Sequence, residues 1–258
     1  MLGFFFKKAF FDGWDHLFSL VALNLVFLGV FSLVVVLPMS LGLSGLATLV
    51  PVSMAILLLS VWYSACVHTL RRVADYGSVS FRDVPGDLKS GLVPGLQMAA
   101  IGIAGWILVS VGLPFYLSNG GLLGVFAAGI LFWCALIALL SLQYYIPLRA
   151  RLGGGFRKNI RKSFIMFFDN AGFSIFLLFY NFITLILSFF LAFMAPGPAG
   201  VALSLDVAVR LRMKKYDWLE ENPGVKRKEI PWTDLLEEDK ELVGPRTLKG
   251  MIFPWKDK

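Results

Sequence analysis

Charge is scarce in this chain, and so are the residues that most catalytic chemistry needs. Only 16% of its 258 residues are Asp, Glu, Lys or Arg, against 57% hydrophobic, and the mean hydropathy is +0.74. A soluble domain carries about 25% charged residues, so this sequence lacks the polar surface to clothe a water-soluble globule. The two cysteines, Cys66 and Cys134, both fall inside apolar stretches. Neither a disulfide framework nor a metal site with ligand-like spacing can be built from them. No Walker loop, Gly-rich dinucleotide turn or His-Glu-x-x-His motif is present. Gly42-Leu43-Ser44-Gly45 imitates the surroundings of an intramembrane serine nucleophile, but such a serine needs a base within about 3 Å. The histidines are His16 and His68, and 24 residues of helix would hold His68 more than about 30 Å from Ser44. The inner loops 73–90 and 153–170 hold no glutamate, so the acidic coupling loop expected of a sugar-uptake permease is missing. The expectation is a non-enzymatic protein with no cofactor and no metal.

What the chain does have is long apolar runs, at 17–37, 46–70, 91–117, 122–146 and 173–195. About 20 such residues span a bilayer as a helix. The first run exceeds the 7–15 residues of a signal-peptide core, and no small-residue cleavage site follows, so it reads as a retained anchor. A sixth run, 200–209, follows Pro196-Gly197-Pro198. A helix over 199–215 would reach about 25 Å, which makes either a short crossing or a half-buried re-entrant helix.

Lysine and arginine occupy one alternating set of connections, around Lys7–Lys8, Arg71–Lys89, Arg149–Lys162 and from Arg210 onward; the intervening turns carry no charge. Excess Lys/Arg marks the cytoplasmic side. The expected fold is therefore all-α: a polytopic helical membrane bundle of three hairpins, six crossings with the last one short, and both termini cytoplasmic. Residues 1–216 form the transmembrane domain and 217–258 a charged cytoplasmic tail. The net charge of +7 follows from this one-sided placement and does not point to nucleic acid.

Phe6-Lys7, Phe81-Arg82 and Phe156-Arg157 recur at 75-residue intervals before the three hairpins. Parallel internal repeats are one way of building transporters; positive-inside selection alone would also place basic residues there. In segment 156–168, Phe156, Ile160, Phe164, Ile165 and Phe168 share helical spacing, while Arg157, Lys158, Arg161 and Lys162 take the other face. That pattern fits an interfacial helix attracted to anionic headgroups of the bilayer, or a coupling loop packed under the bundle.

Small residues let membrane helices approach closely. Gly91, Gly95 and Ala99 make one ladder and Gly120, Gly124 and Ala128 another, at opposite depths, so each requires its own neighbour. Polar residues within spans are the usual pointers to function. Asn24, His68, Gln97, Gln143 and Asp206 fall in the cytoplasmic half, with Asn181 near the middle. They form a candidate polar cavity, or they simply hydrogen-bond between helices; Asp206 has Arg210 four residues on as an ordinary helical pair. In the tail, Met251, Ile252, Phe253 and Trp255 have nothing local to pack on. Apolar residues grouped this way suggest docking onto the bundle or onto a protein partner.

Leu23-Asn24-Leu25, Pro38 closing the first span, Ile146-Pro147-Leu148-Arg149-Ala150-Arg151 followed by Lys158-Asn159 and Lys162-Ser163, and the closing Pro-Gly-Pro-Ala-Gly before Arg212-Met213-Lys214-Lys215-Tyr216 together resemble the YesL-like bacterial membrane proteins. The resemblance covers about residues 1–216. It implies a bacterial inner-membrane protein, of a kind sometimes encoded beside carbohydrate-uptake systems, and it assigns no catalytic residues. Two functions follow as expectations: an accessory or scaffold component linked to a transport system, or a small transporter or channel using the polar cavity.

Overall fold

The computed structural model describes residues 1–225, 230–247 and 250. Among these the chain is helical, without strands. The helices are α1 (Leu2–Asp15), α2 (Leu17–Ser40), α3 (Leu49–Ala74), α4 (Val84–Ser118), α5 (Gly121–Leu152), α6 (Phe156–Asp169), α7 (Ala171–Phe190), α8 (Gly197–Glu221), α9 (Trp232–Leu235) and α10 (Glu237–Val243). Five of them, α2, α3, α4, α5 and α7, are long and apolar enough to cross a membrane. Their outer faces carry bare apolar side chains such as Phe18, Leu122, Phe126 and Phe182, which suit lipid and not water. The sixth segment, within α8, is not among the five.

Two of these helices widen for one turn. Ser32–Val36 in α2 and Leu108–Gly112 in α4 are π-helical, and each turn precedes a Leu-Pro step, at Pro38 and Pro114. A proline has no N–H and its ring clashes with the carbonyl four residues back. An inserted π turn is one way for a helix to continue past such a residue. The equivalent placement in the first two hairpins parallels the spacing of the aromatic–basic steps.

The first and third hairpins share a different feature. The 14-residue helices α1 and α6 each end in an aspartate, and one non-helical residue, His16 or Asn170, then hands the chain to α2 or α7. In α6 the buried face is Asn159, Ser163, Met166 and Phe167, whereas Ile165 and Phe168 remain exposed beside Arg157, Lys158 and Arg161. The packed face is thus rotated from the one expected. Small polar residues line it because Asn159 must reach the Gly153 and Gly155 carbonyls, at 2.7 and 3.0 Å.

The ladder Gly91–Gly95 packs on α3. A methyl group at Gly95 would lie 2.5 Å from the Val61 Cα, and one at Gly91 would lie 2.8 Å from the Ala65 nitrogen. Gly124 instead packs on the Tyr116 backbone of its own hairpin. Gly95→Val should therefore force α3 and α4 apart, at about 1–3 kcal/mol for overpacking, read as a lower melting temperature in detergent.

The densely buried core lies toward one end of the bundle, where Phe5, Leu70, Tyr144, Leu177, Val207, Leu211 and Leu236 meet. Among the described residues every ion pair also gathers there.

Candidate functional site

The polar residues picked out along the spans do not converge on one cavity. Asn24 shares the buried face of α2 with Leu20, Leu23 and Phe27 and is fully enclosed. Its amide nitrogen donates to the Met194 carbonyl at 3.0 Å and the Pro196 carbonyl at 2.8 Å, and its oxygen accepts from the Ala199 N–H at 2.8 Å. This one side chain satisfies the irregular turn between α7 and α8. Ala192 and Phe193 take left-handed backbone there, with φ of 49° and 58°, and the Gly197 N–H donates to the Ser188 hydroxyl at 2.8 Å. Gly197 has a φ of 60°, and a Cβ on it would run into the Asn24 amide, so glycine is needed twice over.

The depth of that turn follows from the register. Asn24 is the eighth residue of α2, and sixteen residues, about 24 Å, separate it from Ser40. The α7–α8 tip therefore stops well short of the far end of α2.

Asn181 accepts a hydrogen bond from Ser204 at 2.5 Å, and Gln97 accepts one from Tyr145 at 2.5 Å. His68 pairs through its ring nitrogen with the Ser64 carbonyl of its own helix, at 2.8 Å. It lines a cleft of about 460 Å³ with Arg71, Arg72, Asp75 and Asp87, apart from the other five. Gln143, at the break in α5, donates to the Leu140 carbonyl at 2.7 Å and the Ser174 carbonyl at 3.2 Å.

Asp206 is buried and pairs with Arg151, not with Arg210 as its spacing suggested. The Arg151 Nε lies 3.0 Å from one carboxylate oxygen, and Nη2 bonds the other. A bidentate fork of this kind holds orientation as well as charge. Arg151 also reaches Asp75 at 3.0 Å, Asp75 accepts from Arg210 at 3.1 Å, and Arg210 bonds Asp239 at 2.8 Å. Lys214 lies 2.6 Å from Asp239, and the Tyr76 hydroxyl donates to it at 2.9 Å. A chain of alternating charge thus runs from the base of α5 through α3 and α8 into α10 in the tail.

The tail is pinned further. Leu236 and Val243 are buried in the core, Lys7 donates to the Gly244 carbonyl at 2.6 Å, and Arg246 bonds Asp15 at 2.7 Å while lying over the Phe11 ring. Met251, Ile252, Phe253 and Trp255, where apolar docking was expected, lie outside the described residues. Beneath the tail, Lys8 is enclosed between Asp12, at 2.8 Å, and the face of the Tyr76 ring, at 3.5 Å. Burial lowers the pKa of Lys8 and raises that of Asp12, each against the pull of its partner. At Asp239 burial pushes the pKa up, but hydrogen bonds from Lys214, Arg210 and Tyr76 outweigh it and leave the carboxyl below its ordinary 3.8.

The cations of α6 behave differently. Arg157, Lys158, Arg161 and Lys162 form no ion pair among the described residues, and the first three are exposed. No group of three or more metal-ligating side chains occurs among the described residues. The sequence signalled the charged residues but not the pairing of Arg151 with Asp206, which are 55 positions apart. No family model, curated protein or solved structure matches the chain.

Proposed function

We propose that this is a multi-pass scaffold or accessory protein of the bacterial inner membrane, YesL-like and non-enzymatic, serving a transport system with its charged end in the cytoplasm. The observation that carries this reading is the closure of the polar groups. Asn24, Asn181 and Asp206, which a solute path would need to expose, are each taken up by partners inside the bundle. Paired polar groups of this kind serve helix packing, which supports a scaffold over a solute path. The ionic chain that starts at Asp206 holds the tail in place, which makes a composite surface of α1, α8 and α10 available to a partner. The cations of α6, which form no ion pair among the described residues, have Ile165 and Phe168 beside them and fit an anionic headgroup layer, at about 1 kcal/mol per basic residue near the surface. Orientation follows from the cationic end. The α7–α8 hairpin enters and leaves on that side, so the termini share a compartment.

The tail provides the test. Asp239→Asn keeps the size of the side chain but leaves Arg210 and Lys214 facing a neutral amide. Limited trypsin digestion should then cut at Arg246 at least about tenfold faster than in the parent, as expected when a buried pair loses one member. Purification of both proteins in mild detergent, followed by mass spectrometry, should recover a partner with the parent and lose it from the variant. Identical partner sets, or solute flux through liposomes carrying the parent chain, would sink the scaffold reading.

A further inference from the structure

The ionic chain passes over one half-buried arginine. On either side of it along α8, Arg210 and Lys214 each reach a carboxylate of Asp239. Arg212, between them in sequence, forms no ion pair and donates no hydrogen bond among the described residues. Its guanidinium carbon lies 4.1 Å from the centre of the Phe173 ring, at the start of α7, and 5.7 Å from that of Trp232 in the tail. The titratable groups that face it are the phenols of Tyr144 and Tyr216, which carry no charge near neutrality. Those hydroxyls are engaged elsewhere, Tyr144 with Ser174 and Tyr216 with Asn170, both at 2.8 Å. Of the three guanidinium nitrogens, Nε is sealed in without a partner, whereas Nη1 and Nη2, equally unbonded, keep access to the surroundings.

A partly desolvated charge without a counter-ion is unfavourable, and an aromatic face offsets only part of that cost. A guanidinium held against rings with its terminal N–H groups open is suited to a planar, two-point grip on an oxyanion. Depth narrows the choice of anion. The 20 residues of α7 make a rod of about 30 Å, the thickness of the hydrocarbon core. Phe173 is the third of them, so the guanidinium over its ring stands at the edge of that core, where phospholipid phosphates lie. Helix α6 runs into α7 through Asn170, and its four cations favour a headgroup of net negative charge over a zwitterionic one. We propose that Arg212 binds the phosphate of an anionic phospholipid, with Phe173 and Trp232 as the walls of the site. Because Trp232 belongs to the tail, lipid binding and tail docking should strengthen each other. The site goes beyond the scaffold reading and does not depend on it.

The probe is phosphatidylglycerol, titrated against the whole protein in detergent and followed by native mass spectrometry, with phosphatidylcholine as the zwitterionic control. The parent should hold one phosphatidylglycerol more tightly than any further lipid, and more tightly than it holds phosphatidylcholine. Arg212→Gln should weaken that first lipid roughly tenfold, and Arg212→Lys, which keeps the charge without the fork, should fall between. Replacing Arg157, Lys158 and Arg161 by Gln should thin out the weaker lipids and leave the first. Trypsin supplies a second reading in nanodiscs: cleavage at Arg246 should be slower in phosphatidylglycerol than in phosphatidylcholine for the parent, and equal in both for Arg212→Gln. The site is overturned if the parent shows no preference for phosphatidylglycerol, a result that needs no variant to fold. It is overturned equally if folded Arg212→Gln binds the first lipid like the parent, or if the α6 variant alone loses it. Displacement of that lipid by excess inorganic phosphate would assign Arg212 to a soluble anion and overturn the lipid.

Discussion

Breaking the Arg151–Asp206 pair should cost this protein about 3–5 kcal/mol. Asp206 is enclosed, and Arg151 supplies both hydrogen bonds to its carboxylate. Arg151→Ala leaves that carboxylate buried and unpaired, and it also strips one of the cations from Asp75. Asp206→Asn is the milder partner experiment, because an amide can still accept one bond from the guanidinium. The double variant Arg151→Leu with Asp206→Leu should recover much of the loss, since a buried ion pair replaced by packed hydrocarbon is often neutral. Thermal unfolding in detergent reads all three. An Arg151→Ala protein as stable as the parent would mean that this pair is wet in solution and does not organise the base of the bundle.

The second large effect is expected at Asn24. Its amide holds two carbonyls and one N–H of the turn between α7 and α8, and irregular backbone at membrane depth survives only where protein satisfies it. Asn24→Leu leaves three backbone groups without partners, at about 1–3 kcal/mol each. The damage should be local, because the turn joins helices that pack on each other through Ser204–Asn181 and Lys215–Asn170. Cysteines placed at Pro198 in the parent and in the Asn24→Leu protein offer a direct reading with a membrane-impermeant maleimide. Protection in the parent and labelling in the variant is the expected pair of outcomes. Equal protection in both would show that Ser188 and the helix ends hold the turn by themselves.

Acidification separates two carboxylates at the charged end of the molecule. Asp239 has a folded pKa below its ordinary 3.8, so its contribution to tail docking is complete above that value and is lost as the pH falls below it. Asp12, raised by burial, works the other way, because protonation relieves its desolvation as the pH drops. Between pH 7 and pH 5 the tail should therefore stay docked.

Much of this architecture was legible beforehand because bilayers impose coarse rules. Composition and run length gave the helices, and confinement of Lys and Arg to alternate connections gave a bundle with one charged end. The glycine ladder at Gly91 and Gly95 was readable as a close approach, though not which helix would receive it. Partners distant in sequence were not readable. Asp206 and Arg210 look like a pair because four residues separate them, but a residue on another element offered a better fork. Segment 156–168 shows a related limit: periodicity separates apolar from basic positions, yet the contact chosen was a third face, set by the need of Asn159 to reach two glycine carbonyls.

Asp239 is gripped by residues from the end of α3 and from two turns of α8, all of which precede it in the chain. During synthesis the aspartate emerges last, after every helix it must find. Its clasp can close only on a bundle whose earlier pieces already stand side by side. A misassembled intermediate would present an unfastened tail open to proteolytic cleavage.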